Sequence, residues 1–464
     1  MQYRNVIIGT GFAAHYVASQ LPPDETLMVQ PFSNRGDIFE VIASPESIFE
    51  VSQVSKSKNT GGGIAIWGGA ISYPSERNYL KTTMNSKWNL ICEELLAQKP
   101  KPNWRVSSFS TTTIEKIFPG SHSVLEIEHH GYITGQFGDI GQYKFPGAGN
   151  NKILEGALLT VSQMSSGIYE LQLISKDGSI AIVNTQHLVL ATGNFLNACY
   201  TSLLTNIKQF PIGNHCSKKI GELSFVEPMN LKNIAQTYDV TENQFVTLGN
   251  NGFGSNFQGV SNSVRLQVTD TISVRRAILD YLVKDFFKCR LKAKTRTLFA
   301  ILIATIKRKR LISQATVRMM TDQPANEGNN YFEITGVENG KWTSRVKLEL
   351  APKVTEDSKV LIQILNQSLE QSHYLKKGTS ISLREDFEME EYIWRDAGHY
   401  YGSVPVGLLS SHQTTVDENL QLNGFTNIFV VGASCFPIGS HGHPTQLIID
   451  LAIRLGKHIH EKNE

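Results

Sequence analysis

Nine residues from the N-terminus the chain makes a turn, Gly9-x-Gly11-x-x-Ala14, that few folds can use. It follows an apolar run, Asn5 to Ile8, and opens a stretch of helical character from Phe12 to Leu21. Pro22-Pro23, which cannot continue a helix, precedes a second apolar run from Thr26 to Val29. Strand, glycine turn, helix and strand are the βαβ opening of a parallel sheet. In such a unit the first glycine permits the tight turn and the second lets backbone approach a pyrophosphate. The alanine lets helix and strand pack closely, and the helix N-terminus offers free N–H groups to the phosphates. The pattern means little alone and gains its meaning between a strand and a helix, where it stands here. Gly9, Gly11, Phe12 and Ala14 are therefore candidate dinucleotide contacts. About twenty residues on, where an acid usually holds the adenosine ribose, the chain has Gln30, with Asp37 one loop later. A βαβ unit that begins at residue 5, with no small-residue cleavage site after it, favours a cytoplasmic protein over a secreted one.

Composition narrows the classes. The chain has 464 residues, 41% hydrophobic and 19% charged, which is globular and long enough for two to four domains. Lys+Arg 44 against Asp+Glu 42 leaves +2, so nothing general points to nucleic acid. Five scattered cysteines without a CxxC exclude a disulfide scaffold, a zinc ribbon and a c-type haem site. No apolar run approaches the ~20 residues that span a bilayer. The charge is uneven, however. Residues 275 to 310 hold twelve cations and two acids, and the apolar run Leu298 to Ile306 lies among them. The block reads as a solvated helix face with a core stripe, or as a surface for peripheral contact with the inner, anionic face of a membrane.

Further along, Gly61-Gly62-Gly63-Ile64-Ala65-Ile66-Trp67-Gly68-Gly69 places five glycines around one tryptophan. Such a backbone suits direct contact with a flat or charged ligand. Leu158 to Gln163, Tyr169 to Ile174 and Ile180 to Val183 alternate between turn signals, a small β-meander. It leads into His187 to Gly193, an apolar strand ending Ala191-Thr192-Gly193. From 226 to 394 the character changes: Thr271 to Met320 looks helical and basic, and Tyr331 to Leu350 and Lys359 to Leu365 look like strands.

The C-terminal region carries the densest set of motifs. His399-Tyr400-Tyr401-Gly402-Ser403 is followed by Val416-Asp417. Then come a strand from Ile428 into Gly432-Ala433-Ser434, Phe436-Pro437, and His443-Pro444-Thr445 at the head of an amphipathic helix reaching about His460. Pro444 suits a first helical turn, and Lys457, His458 and His460 suit the negative end of the dipole.

In this order the motifs resemble the glucose–methanol–choline (GMC) family of flavin oxidoreductases, over roughly residues 5–72, 187–216 and 396–458. The resemblance implies an α/β (α+β) fold: a Rossmann-like FAD-binding domain with a β-meander, interrupted by a sheet-and-helix substrate domain. The division it implies is 1–225 and 395–464 for FAD and 226–394 for substrate. It also implies FAD contacts at Gly9, Gly11, Phe12, Ala14, Gln30, Gly62, Gly63, Trp67, Gly68, Gly69, Ala191, Gly432, Ala433, His443, Pro444 and Thr445. Gln30 and Gly432 depart from the family's acids, and Ser403 replaces its threonine. His399 and His443 are expected together before the flavin. His399 takes the hydroxyl proton as general base and His443 orients the substrate oxygen, since a neutral imidazole accepts a proton at physiological pH.

A three-histidine metal site from His399, His441 and His443 is the weaker reading of those rings, and no metal is expected. Cys435 reads as a small buried residue near the cofactor. His15, His129, His130, His215 and His412 read as structural. Ile66 stands where some members carry a flavin-linking histidine, so FAD is expected to be non-covalent. The expected reaction oxidises a hydroxyl of a small-molecule alcohol to a carbonyl. A sugar or glycoside is the first substrate, with lipid-linked or phosphorylated forms suggested by the basic block. Oxygen, a quinone or a separate protein would accept the electrons. A GMC-like lyase and a flavoprotein without turnover are the alternatives.

Overall fold

The computed structural model describes residues 1–31, 39–43, 70–72, 85–98, 105–107, 119, 126–128, 130–132, 145–147, 149–230, 245–249, 262–272, 311–323, 325, 330–338, 340–349, 352–382, 395–407, 414–439 and 444–464. The glycine loop 61–69, Asp37, the basic block 275–310, His441 and His443 lie outside them.

The N-terminal unit forms as its pattern predicts: β1 (Gln2–Ile8), α1 (Phe12–Ala18) and β2 (Thr26–Gln30). The helix stops before the expected Leu21. The amides of Gln20 and Leu21 bond to Val17 and Ala18, three residues back, so the chain tightens out of the helix ahead of the prolines. Two short strands follow, β3 (Phe39–Ala43) and β4 (Ala70–Ser72), then α2 (Ser86–Gln98). Next come β5 (Arg105–Ser107), β6 (Glu126–Glu128), β7 (His130–Tyr132) and β8 (Lys152–Glu155). The meander is β9 (Ala157–Gln163), β10 (Tyr169–Ile174) and β11 (Ile180–Leu190). Its third strand and the expected strand at His187 are one continuous element. The outer half of β11 pairs with β10 and the inner half with β1.

These elements build a seven-stranded sheet in the order β8-β2-β1-β11-β10-β9. To β11 is added β20 (Ile428–Val430), brought from far along the chain. The strands β8, β2, β1, β11 and β20 run parallel, and β10 pairs antiparallel with both β11 and β9. Strand order reverses between β1 and β11, so the crevice beyond the carboxyl ends of β1, β11 and β20 is a topological switch point. The last helix, α5 (Thr445–Asn463), covers this sheet together with α1. Leu447, Leu451, Leu455 and Ile459, four residues apart, are buried along its inner stripe. The helices meet closely at Gly456, where a Cβ would stand 2.7 Å from that of Gln20.

Within the parallel core one row is polar. His187, Asn5 and Thr26 are in register across β11, β1 and β2 and are buried. The Asn5 amide donates toward Thr26 Oγ1 (3.5 Å), which leaves Asn5 Oδ1 to accept from His187 Nδ1 at 3.0 Å. Burial, aided by the Lys462 and Arg4 charges, lowers the His187 pKa to about 4. His15, stacked on Phe145 at 4.3 Å, is lowered by burial to about 4 as well. An unfolded imidazole takes its proton near 6.5. The stability that depends on neutral His187 and His15 is therefore complete above about pH 6.5 and is lost as pH falls toward 4. We expect the melting temperature to fall across that window and the fall to be shallower in His187→Gln. An identical acid sensitivity in the variant would count against it.

The rest of the chain adds α3 (Asn194–Thr205), β12 (Gln209–Pro211), β13 (Gly213–Asn230), β14 (Phe245–Gly249) and β15 (Asn262–Ile272). It continues with β16 (Leu311–Gln323), β17 (Tyr331–Glu338), β18 (Lys341–Lys347), α4 (Pro352–Glu370) and β19 (Arg395–Tyr401). A six-stranded sheet has the order β19-β13-β16-β15-β14-β6, a four-stranded one β12-β17-β18-β3, and a three-stranded one β4-β7-β5.

Two expectations are corrected here. Residues Leu311 to Met320 and Thr271-Ile272 are strand rather than helix, each paired along β13, β15 or β16. Lys359 to Leu365 is helix rather than strand. In that helix Leu361, Leu365 and Leu369 are buried four residues apart and Val360 is exposed. A seven-residue apolar run does not display that period by itself. The strands expected from Tyr331 onward are β17 and β18.

Candidate active site

Each strand that reaches the crevice ends in a residue chosen for its backbone. After β1, Gly9 adopts φ +128°, and its N–H donates to Val29 O at 2.8 Å. A Cβ there would stand 2.3 Å from the carbonyl oxygen of Ala191, at the end of β11. The glycine therefore serves the close approach of two strand ends as well as the turn. Gly11 is the N-cap of α1 with no side-chain cap, Phe12 and Ala14 are buried, and Gln30 is half-buried at the end of β2. After β20, Gly432 adopts φ +121°, with no atom of the described residues within 4 Å of where a Cβ would lie. Ala433 follows it in a short 3-10 turn ending at Cys435.

A buried carboxamide ties these ends together. Asn197 Oδ1 accepts from the Thr192 amide (2.9 Å) and hydroxyl (2.8 Å). Its Nδ2 donates to Val431 O (3.2 Å) and Ser434 Oγ (2.8 Å). Next to it, Asn194 Oδ1 accepts from the Ser403 amide at 3.1 Å, and the Ser403 hydroxyl donates to Asn194 O at 2.9 Å. Neither asparagine had a motif to mark it. Cys435 is fully buried, and burial pushes its thiol up to about 12, so it is inert at neutral pH.

The same knot carries the strand of His399 to the crevice. Beyond β19 the amides of Gly402, Val404 and Val406 donate to the carbonyls of Ala433, Ser434 and Cys435 at 2.9–3.1 Å. Gly402 must be glycine here: its φ is +79°, and a Cβ would meet Phe436 O at 3.0 Å. His399 thus hangs from a strand end fastened to the turn after β20. The side chain is half-buried and helps wall a small cavity open to solvent. Trp88, Phe436, Pro444 and Leu447 line the same cavity. Trp88 is held there because Asn85 caps α2, accepting from the Trp88 amide at 2.9 Å and donating to Val406 O at 2.5 Å. No Asp or Glu lines the described walls.

His443, expected beside His399, is outside the described residues, as are Gly62, Gly63, Trp67, Gly68 and Gly69. Its neighbours are placed: Pro444 caps α5 and lines the cavity, and Thr445 is buried in the first turn. Among the described residues, the ring that meets His399 is His215. It is buried, with its Nδ1 3.4 Å from His399 Nδ1 and the two planes 74° apart. His215 had only a structural reading from the sequence. Its contact comes from a bulge: Asn214 faces Tyr400 and Cys216 faces Asp396, so three residues of β19 oppose His215 alone.

A dinucleotide fits this crevice. Glycine ends β1 and follows β20, α1 begins without a side-chain cap, and the buried Nδ2 of Asn194 has no partner among the described residues. The GMC oxidoreductase family model matches residues 260–452, which include His399 and the start of α5. This region, a little under half of the chain, is similar to the C-terminal domain of the GMC oxidoreductases. At that level the chain is an oxidoreductase of CH–OH donors. The fold agrees: the crystal structure of pyridoxine 4-oxidase from Mesorbium loti superposes with a TM-score of 0.57, covering 99% of each chain at 13% identity. No curated protein matches in sequence. Among the described residues no helix is long and apolar enough to cross a membrane, and no three side chains form a metal-binding group.

Proposed function

We propose that this chain is a GMC oxidoreductase that binds FAD non-covalently and oxidises a substrate hydroxyl, first of all on a sugar or glycoside, to a carbonyl. The carrying observation is His399 on the wall of a cavity whose far elements, the turn after β20 and the head of α5, belong to the dinucleotide crevice. Gly9, Gly11, Phe12, Ala14 and Gln30 would hold the adenosine diphosphate half. Ala191, Gly432, Ala433, His443, Pro444 and Thr445 would face the flavin half, with the loop of Gly62, Gly63, Trp67, Gly68 and Gly69 beside it. Bound FAD supplies the hydride acceptor.

The chain's own residues do the rest. His399 accepts the hydroxyl proton, and His443 orients the substrate oxygen. Trp88, Tyr400, Tyr401 and Phe436 offer apolar ring faces to the C–H side of a sugar or to a flat heterocycle. The partner of the second half-reaction is a separate acceptor: oxygen, a quinone or a protein. The block 275–310 would bring the protein to an anionic membrane surface, where a lipid-linked sugar or a quinone is reached.

The test is anaerobic mixing of the yellow holoprotein with sugars, glycosides, sugar phosphates and pyridoxine. At least one alcohol bleaches the flavin stoichiometrically, and denaturation releases the chromophore into solution. Flavin that no alcohol reduces would overturn the reaction, and colour retained on the unfolded chain would overturn non-covalent attachment.

A further inference from the structure

We propose that His215 is a positioning residue for His399: it accepts the His399 Nδ1 proton and so holds the base in the tautomer whose Nε2 is unprotonated. This rests on the reading of His399 as the base. Between the two Nδ1 atoms, 3.4 Å apart, there is room for one proton. If His215 donated it, the remaining His399 proton would sit on Nε2, and no lone pair would be left for a substrate. If His399 donates it, Nδ1 is occupied by its own hydrogen and Nε2 becomes the basic atom. A hydroxyl proton could then move to Nε2, and bound FAD would supply the acceptor for the hydride. His399 becomes an imidazolium whose Nδ1–H still points at a neutral acceptor.

The surroundings support that direction. His215 is 4% exposed, so a second positive charge beside the imidazolium is disfavoured by desolvation and by repulsion. The contact is longer than the usual 2.7–3.2 Å, as catalytic hydrogen bonds often are before substrate closes the site. The geometry is also built in. Tyr401 packs edge-on to His215 at 6.2 Å and fills the space over Gly213, where a Cβ would meet its ring at 2.3 Å. Cys216, the next side chain of β13, donates its thiol toward Asn214 Oδ1 (3.6 Å). Among the described residues, Tyr401 and Cys216, with Tyr400 on the cavity wall, are the other titratable groups placed beside the pair.

Two measurements test it on the full-length holoprotein. With 15N-labelled histidine, the His399 signals, assigned by their loss in His399→Gln, should show a protonated Nδ1 and an unprotonated Nε2 above the acid limb. The proton found on Nε2 instead overturns the proposal, and this readout needs no turnover. In the second, flavin reduction by the best alcohol is followed against pH. His215→Leu should slow it about ten- to hundredfold, the scale on which partners that orient an imidazole act, and should move the acid limb to lower pH. His215→Asn, which can place an amide oxygen where Nδ1 lies, should recover most of the rate and the wild-type limb. A His215→Leu profile with an unmoved limb overturns the proposal, whether the rate is unchanged or uniformly lower. Unimpaired reduction in His399→Gln would instead sink the base assignment, while the tautomer signal still reports on His215.

Discussion

Exchanging His399 for glutamine lowers the rate of anaerobic flavin reduction by about two to four orders of magnitude, the usual worth of a positioned general base, and leaves the flavin bound. Glutamine is near the imidazole in size and still forms hydrogen bonds, but it cannot accept a proton at neutral pH. The loss should fall on the limiting rate rather than on half-saturation, because the proton moves only in the transition state. Stopped-flow absorbance with saturating alcohol makes the measurement. Added imidazole should restore part of the rate, since the cavity is open at its mouth. A variant that reduces at the wild-type rate would show that another group takes the proton. A variant that emerges without flavin would place His399 in the scaffold rather than the chemistry.

The second large effect is on the scaffold. Gly9→Ala meets two penalties at once. Its φ of +128° strains any residue with a Cβ, at about 1–3 kcal/mol. The new methyl also meets the Ala191 carbonyl at 2.3 Å, and backbone cannot swing aside as a side chain can. Overpacking of this kind adds about 1–3 kcal/mol, so the pair is a large fraction of a typical stability of roughly 5–15 kcal/mol. We expect a strongly lowered denaturation midpoint and loss of flavin on purification. Gly424→Ala is the control, because its φ is +85° but no atom of the described residues lies within 4 Å of the added one, so only the conformational term applies. Equal midpoints for the two variants would remove the steric argument.

The contrast between these residues shows what could be read early. Gly9 and the elements on either side of it were legible because their information is local. The apolar runs, the turn and the helix lie within thirty residues, and their periods differ visibly. The same holds for the meander and for the stripe of α5. Lys359 to Leu365 reads as strand for the same reason in reverse: the run is local, but the buried face that tells helix from strand extends beyond it. The strands at Leu311–Gln323 and Asn262–Ile272 take their state from ladders to β13 and to each other.

His399 stood out from its neighbours in sequence, yet its partner did not. His215 lies 184 positions away and meets it only because β19 bulges against β13. Asn197 reaches 234 and 237 positions forward to Val431 and Ser434, with nothing in its own neighbourhood to mark it. The order of residues along the chain determined the turn geometry, the periods of the main elements and the kind of chemistry available, because those depend on spacing within a few residues. Which imidazole faces which, and which strand ends share a crevice, was decided in three dimensions. Those relations depend on sheet register and close packing between segments that have no spacing in common.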